Sequence, residues 1–444
     1  MRRQWFFVVV LGLAAIAPSL SVTAQTRPPG PYAPLAPRFL DAVNGLTLDQ
    51  AITQTLDREP SLRAARADVE AVRGMRIQAA LRPNPTVSFA QQAEVGGTDA
   101  QTRVDVQWPL DLFRKAGRVN VAERQIEATQ HATTERERLL ISDVRMKFGD
   151  VLTAVRELSV IDELVAATAQ HETLMTARAD EGAIPPLERD LVRVELRRLE
   201  SEQMLQAGHA EHALIELKRL LGLAADAPLS LRHDLEQLVQ RETSAVPSAA
   251  NDSVNGRPDV DEAHARVHLA EARIDQARRD GRIDLSVFGM YMRTDAGFPQ
   301  RAFGPQNALE PVHGVFHYLA GGVVVSVPLR DRKQGDLAAA QAQRVGAQAQ
   351  LAATRLTAQA EVAAARAWDE QARRALAVYS ADTLGLAKQN LDVVGQTYEL
   401  GRMTLLDVLN ERRRYLETER AYTRALREAY DARQALRRAL GEVQ

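Results

Sequence analysis

The sequence predicts a mainly α-helical, tandem-duplicated fold with four β-strands that contribute to a transmembrane β-barrel. Three observations lead to this prediction: an N-terminal export pattern, landmarks of the first half that recur in the second at a constant offset, and coiled-coil patterns joined to one strand pair per copy. Aromatic residues are only 5% of the 444 residues. Because alanine, leucine, arginine and glutamate are abundant instead, long helices packed through small side chains are expected.

The first 24 residues have the order of a secretory signal peptide. Arg2 and Arg3 precede an apolar stretch from Trp5 to Ala17, and small residues lead to Ala24. A membrane-spanning helix is the alternative, but about 13 apolar residues fall short of the roughly 20 that a span needs. No later segment is long and uncharged, so the chain is expected to cross a membrane only with strands.

Charge and cysteine content exclude several classes of function. The 56 basic and 58 acidic residues nearly balance, which leaves no basic surface for nucleic acid. The chain has no cysteine, which excludes disulfides, thiolate metal sites and an acylated cysteine.

A constant offset relates the two halves of the chain. Trp108-Pro109-Leu110 recurs as Val327-Pro328-Leu329, an offset of 328 − 109 = 219, and Leu221-Gly222 recurs as Leu440-Gly441 at the same offset. An offset that stable means that both copies have elements of the same length. The chain is therefore predicted to be one structural unit built twice.

Composition sets the boundaries of these units. A proline-rich, extended arm is predicted at residues 25–45, the first repeat at 46–240 and the second at 257–444. Between the repeats, residues 241–256 are rich in serine, alanine, asparagine and proline, which predicts an exposed linker.

Each repeat is predicted to contain a helix, two strands, a very long helix, a tight turn and another long helix. The first helix runs from the N-cap Thr47 towards Leu81 and is ended by prolines. In the first repeat, strands are predicted at about 86–110 and helices at about 114–222. In the second repeat, a first helix is followed by strands at about 283–292 and 318–329 and by helices at about 333–441. Apolar residues at steps of four and three from Val144 to Leu158 indicate a coiled-coil seam.

The strands alternate between apolar and polar residues. Candidate membrane-facing residues are Val104, Val106, Trp108, Val323, Val325 and Val327. An amphipathic hairpin on a small soluble core is the alternative, but each repeat otherwise contains only coiled-coil helices, which favours a lipid-facing band. Four strands cannot close a wide barrel, so several chains must contribute.

The turn of the second repeat carries the most specific motif. Tyr398-x-x-Gly401-Arg402-x-Thr404-Leu405-Leu406-Asp407-Val408-Leu409 resembles the periplasmic tip of the TolC-like outer-membrane efflux proteins, and the resemblance extends from Leu46 to Gly441. The first-repeat counterpart, Gly182 to Glu188, departs from the pattern by carrying two prolines. Residues 327–335 are similar to the branch of the family that serves heavy-metal exporters of the resistance-nodulation-division type.

The resemblance implies an architecture and partners. It implies a homotrimer in the outer membrane, with a 12-stranded barrel and a long periplasmic α-barrel. It also implies docking to a periplasmic adaptor protein joined to an inner-membrane efflux transporter, which supplies the energy for a passive exit duct. The exported substrates would be metal cations or small toxic compounds. The alternative function is a soluble periplasmic coiled-coil adaptor or scaffold.

The predicted tip provides the candidate site for adaptor docking and for the aperture. Its candidate residues are Gly182, Ala183, Glu188, Tyr398, Gly401, Arg402, Thr404, Leu405, Asp407 and Asn410. In a symmetric oligomer Asp407 would form a ring of negative charge that selects cations, with Arg402 and Arg412 as candidate partners. Alternatively, Asp407 caps the helix that follows the turn. The family often has a second acidic residue one turn further on, where this chain has Asn410.

No enzymatic site is predicted. The sequence contains no glycine-rich phosphate loop, Gly-x-Ser-x-Gly elbow or His-Glu-x-x-His pattern, so neither a catalytic residue nor a cofactor is expected. The pairs His264/His268 and His313/His317 have a spacing that could share a metal on a helix. They lack a third ligand in a recognisable motif, so a solvated face or loop is the preferred interpretation.

Overall fold

A computed structural model of the chain describes residues 33–97, 99–244, 255–379 and 381–442. The predicted signal peptide, the start of the proline-rich arm and most of the predicted linker lie outside the described residues.

The first predicted helix is two helices, α1 (Leu48–Arg58) and α2 (Pro60–Ala80). Thr47 begins α1 as predicted, through a capping box in which its hydroxyl accepts from the Gln50 N–H and the Gln50 side chain accepts from the Thr47 N–H. The prediction of one helix was wrong because Pro60 has no N–H to donate and forces Glu59 into an extended conformation. The Glu59 carboxylate caps α2 by accepting from the Leu62 N–H at 2.8 Å.

The first repeat continues with α3 (Arg114–Asp180), α4 (Pro186–Leu220) and α5 (Leu235–Ser244). With 67 residues, α3 is about 100 Å long at 1.5 Å per residue. Residues 241–244 belong to α5, so the predicted linker begins too early: Glu242 is buried against Arg437, at 3.1 Å, which extends the helix into the serine-rich segment.

The second repeat contains α6 (Pro258–Asp280), α7 (Gln334–Val378), α8 (Ala381–Glu399) and α9 (Leu405–Leu440). The single long helix of the first repeat is therefore divided into α7 and α8 in the second. At Tyr379 the backbone leaves the helical region, and its N–H bonds to the Leu376 carbonyl, three residues back.

Four antiparallel strands form one sheet in the order β1 (Thr86–Ala93), β2 (Ala100–Pro109), β3 (Asp284–Phe303) and β4 (Leu309–Ser326). The predicted ends of the second strand pair were wrong. Instead of forming a long connection, residues 293–317 continue the ladder to the pair Phe303 and Leu309, and a register shift near Phe298 accommodates the irregularity.

The described part of the arm is not extended throughout. Residues Ala36–Phe39 form a 3₁₀ helix, because the buried Asp162 carboxylate of α3 accepts from the Leu35 and Ala36 N–H groups, both at 2.8 Å. This contact ties the start of the described chain to the middle of α3.

The largest core surrounds the middle of α3 and joins α1, α4, α5 and α9. Phe148 and Tyr430 are fully buried there. Gly149 permits this packing, because a Cβ at that position would lie 2.5 Å from the Tyr430 ring. Of the helices within residues 33–442 that the structure describes, none has both the length and the apolar character of a membrane span.

Candidate functional site

Two tight turns join the long helices at one end of the molecule. Gly182 lies between α3 and α4 and Gly401 between α8 and α9, with φ of +73° and +71°. In the first turn the Ala183 N–H donates to the Arg178 carbonyl at 2.8 Å, and in the second the Arg402 N–H donates to the Thr397 carbonyl at 3.1 Å. Both turns are thus the same glycine-dependent helix ending.

The two turns lie side by side, although 219 residues separate their glycines. Met175, Val192 and Leu405 form a buried cluster between the hairpins, and Ile184, Tyr398 and Leu409 pack against it. The hairpins α3–α4 and α8–α9 therefore contact each other through their apolar faces. We call this region the tip.

A hydrogen bond between the hairpins joins Tyr398 to Glu188. The Tyr398 hydroxyl donates to Glu188 Oε2 at 2.9 Å and lies 3.4 Å from Met175 Sδ. Burial, reinforced by the Glu188 carboxylate, raises the pKa of Tyr398 to about 12, so the hydroxyl keeps its proton at neutral pH. The His171 ring meets the Tyr398 ring edge-on at 6.0 Å, and burial lowers the pKa of His171. This aromatic pair therefore adds no charge beside Glu188 at neutral pH.

Asp407 caps α9. Its carboxylate accepts from the Thr404 N–H at 2.9 Å and from the Thr404 hydroxyl at 2.7 Å, while the Asp407 N–H donates to Thr404 Oγ1 at 3.3 Å. These hydrogen bonds lower the pKa of Asp407. Arg412, a candidate partner of Asp407, instead donates to Thr168 Oγ1 at 2.7 Å. In the part of the chain that the structure describes, the Asp407 carboxylate bonds to Thr404 and forms no ion pair with Arg402 or Arg412.

The predicted tip residues thus divide by their surroundings. Glu188, Tyr398 and Leu405 hold the two hairpins together, and Thr404 and Asp407 begin α9. Ala183, Arg402 and Asn410 are exposed to solvent. Sequence reasoning did not single out Met175, Val192 or Ile184, although Val192 and Met175 continue the apolar seams of their helices.

The strand register places most of the candidate membrane-facing residues on one face. Val104 pairs with Tyr291, Trp108 with Val287, and Val287 with Val323. Directly paired residues share a face, so these side chains line a continuous apolar face. Its large side chains are exposed, including Val323 at 60%.

The opposite face of β2 carries Arg103, Asp105 and Gln107, as the alternation predicts. Arg103 and Asp105 form an ion pair there at 2.8 Å. Val327 belongs to neither face, because β4 ends at Ser326; its prediction as a strand residue was wrong. The following Pro328 has no N–H for a ladder.

The histidine pairs lie in different environments. His264 and His268 lie on α6 with ring centroids 6.3 Å apart, and His264 contacts Arg355. His313 and His317 lie on β4, where the Tyr291 hydroxyl is 2.8 Å from His317 Nδ1. Throughout the part of the chain that the structure describes, no three histidine or acidic side chains gather as a metal site.

A sheet with a continuous exposed apolar face, joined at one end to α3, which is about 100 Å long, is the architecture expected of a channel-forming protein of the outer membrane with a helical periplasmic portion. The chain belongs to the outer membrane efflux protein family, whose sequence profile matches residues 51–223 and 249–442.

One curated relative is the cobalt-zinc-cadmium resistance protein CzcC of Cupriavidus metallidurans, 24% identical over 441 residues, which cover 99% of this chain and 100% of the relative. Among solved structures, the fold resembles the outer membrane protein VceC of Vibrio cholerae, with a TM-score of 0.69, 18% identity, and 89% and 96% of the two chains covered. It also resembles the open state of the Neisseria gonorrhoeae MtrE channel, with a TM-score of 0.66, 18% identity, and 89% and 88% covered.

Family membership defines the function in outline. The chain is the outer-membrane channel component of a tripartite efflux system, and the family consists of transport channels, not enzymes. Channels of this family are trimers. The alternative of a soluble periplasmic adaptor or scaffold finds no support.

Proposed function

We propose that this chain forms a homotrimer that serves as the passive exit duct of a metal-efflux system, docked to a periplasmic adaptor and driven by an inner-membrane transporter. One observation carries the proposal: the four-stranded sheet has two unpaired edge strands, β1 and β4, and continues directly into α3 and α7. Three copies would supply 3 × 4 = 12 strands and remove every free edge.

The apolar face would then be turned towards lipid and the face with Arg103 and Asp105 towards the lumen. Exposure alone does not distinguish the two faces, because Phe288 and Val324 on the opposite face are exposed like Val106, Trp108, Val323 and Val325. The support for this orientation is the charge of the opposite face, where Arg103 and Asp105 form an ion pair. Burying the apolar side chains in protein instead would need a second layer, and the elements of the described residues provide none over the sheet.

Metal cations are the proposed substrates. The support is the likeness to a cobalt-zinc-cadmium resistance protein over the whole length of both chains. Small toxic compounds are the competing class. The two are separated by deleting the gene and measuring the growth of cells on zinc, cobalt or cadmium and on a panel of apolar toxins. Loss of metal tolerance alone supports the proposal, and loss of toxin tolerance alone contradicts it.

The tip is proposed as the aperture and the adaptor-docking end. The hydrogen bond from Tyr398 to Glu188 holds the two hairpins of one chain together, which favours a closed arrangement. Asp407 has two proposed roles, since a carboxylate that caps α9 can also contribute to an acidic ring in a trimer. The exposed Ala183, Arg402 and Asn410 are the proposed docking contacts.

The decisive experiment is extraction of the full chain from outer membranes, followed by electrophoresis with and without heating and by conductance in a planar bilayer. An oligomer about three times the mass of the chain that conducts ions supports the duct. A salt-released monomer without conductance refutes it. Replacing Asp407 with asparagine, which keeps a side-chain acceptor for the cap, should reduce cation block of the channel; unchanged block would exclude an acidic ring.

A further inference from the structure

A polar row interrupts the apolar face of the sheet, and the row beyond it contains Asp295 together with Ala93, Ala100 and Val315. The strand register gives four apolar rows, counted from the helices: Leu285 and Val325; Trp108, Val287 and Val323; Val87, Val106, Gly289 and Gly321; Phe89, Val104, Tyr291 and Leu319. The next row on the same face consists of Gln91, Thr102, Arg293 and His317. We call these four residues the rim row.

The rim row lies beyond the four apolar rows, on the side away from the helices. Both α3 and α7 follow the opposite end, at Pro109 and Ser326. Because the helices are periplasmic, the rim row is at the outer side of the membrane. All four of its residues can hydrogen-bond, and Arg293 carries a permanent charge.

Arg293 and His317 form the centre of the row. They are direct partners in the ladder, so their Cβ atoms are about 5 Å apart. The Tyr291 hydroxyl contacts His317 Nδ1 at 2.8 Å, and the two rings stack with centroids 6.0 Å apart. This fixes the imidazole and leaves Nε2 for another partner. The Arg293 side chain is 46% exposed and forms an ion pair with Asp295 through Nη2 at 3.6 Å, so a phosphate would bind at the other guanidinium N–H groups. A contact of that length leaves guanidinium donors for a ligand.

We propose that Arg293 and His317 bind a phosphate group of the phosphorylated glycolipid in the outer leaflet of the outer membrane. The inference rests on the proposed lipid-facing orientation. An arginine beside an imidazole suits a phosphate, which accepts several charge-assisted hydrogen bonds at once. The position selects a lipid phosphate over a soluble anion, because the row directly above an apolar band coincides with the lipid headgroups. Tyr291, in the last apolar row, matches the aromatic residues that occupy that level.

The test uses the full chain in detergent, titrated with diphosphoryl lipid A and followed by native mass spectrometry. Wild type is expected to retain the lipid. Loss of two charge-assisted hydrogen bonds in an Arg293→Gln/His317→Gln variant should weaken retention by roughly tenfold or more. Arg293→Lys should keep part of the affinity, because the charge remains without the bidentate fork. Arg301→Gln, on the same strand beyond the rim row, is the matched control and should bind like wild type.

Three comparisons of lipid retention test the proposed phosphate site. Equal retention by the double variant and wild type overturns the site, as does equal retention of lipid A and its dephosphorylated form. Equal retention of phosphatidylglycerol and lipid A overturns the choice of a glycolipid. Conductance is measured in parallel: a non-conducting wild type refutes the duct, whereas a conducting wild type without lipid selectivity refutes only the lipid site.

Discussion

Replacing Tyr398 with phenylalanine removes a single hydroxyl and, with it, the hydrogen bond that joins the two hairpins at the tip. A hydrogen bond to a charged acceptor contributes about 1.5–3 kcal/mol, and the half-buried position of Tyr398 places this one at the lower end. In a trimer that opens all three tips together, the closed state would lose about 4.5 kcal/mol, which shifts the closed-to-open equilibrium by roughly a thousandfold. The Phe ring keeps its packing against the cluster of Met175, Val192 and Leu405, so the fold is expected to remain intact.

Single-channel recording in a planar bilayer measures this shift as the fraction of time that the channel is open. Glu188→Gln keeps an acceptor but removes its charge, so its effect should be about half as large in free energy. Tyr318→Phe, on β4 and far from the tip, serves as the control and should not change opening. An open fraction of Tyr398→Phe equal to that of wild type would refute the idea that this bond holds the tip closed.

The raised pKa of Tyr398 also sets the pH range over which the hydrogen bond to Glu188 stabilises the tip. This stabilisation is complete below the ordinary pKa of 10.0 and is lost as the pH rises towards about 12.

Three further predictions concern the turn, the sheet and the cap. Gly401→Ala places a side chain at a φ of +71° and should lower the free energy of unfolding by about 1–2 kcal/mol. The control is Gly395→Ala within α8, where an added Cβ meets nothing, and this change should be neutral or stabilising. Chemical denaturation of the two variants measures the difference. Val323→Arg should prevent assembly of the heat-modifiable oligomer, because a charge on the lipid face costs about 2–4 kcal/mol per strand, while Val324→Arg, on the other face, should assemble; equal assembly would contradict the assigned faces. The lowered pKa of Asp407 means that its cap stabilises α9 above pH 3.8 and is lost as the pH falls further, so a thermal-melting difference between wild type and Asp407→Asn should disappear in acid.

The sequence predicted the elements whose signal is local. The glycine turns, the coiled-coil seams and the alternating strands each depend on neighbouring residues. The repeat offset relates the two turns correctly, because Gly182 and Gly401 lie 219 residues apart, but the expectation of equal element lengths was wrong: β1 has 8 residues and β3 has 20, and α3 corresponds to the two helices α7 and α8. For Asp407 the sequence left two alternatives, a helix cap and an acidic ring, and the hydrogen bonds to Thr404 show the cap. The strand faces followed from the period of two.

The features that sequence reasoning missed depend on contacts between distant segments. No local rule pairs Tyr398 with Glu188, which is 210 residues away. The extension of β3 and β4 was missed because the glycines and prolines of residues 293–317 indicate a loop, while pairing with the partner strand keeps them in the ladder. Likewise, α5 reaches Ser244 because Glu242 finds a buried partner on α9.

The division of α7 from α8 makes the two hairpins mechanically unequal. The first hairpin, α3–α4, begins with the continuous helix α3, whereas the second, α8–α9, is joined to α7 through the helix end at Tyr379. From that joint, the 19 residues of α8 form a lever arm about 28 Å long. A swing of about 10° at the joint would therefore carry Gly401 about 5 Å sideways, a distance close to one helical pitch, with α3 held still. Displacement of the tip would thus be asymmetric, because in each chain the α8–α9 hairpin would move while the α3–α4 hairpin stays in place.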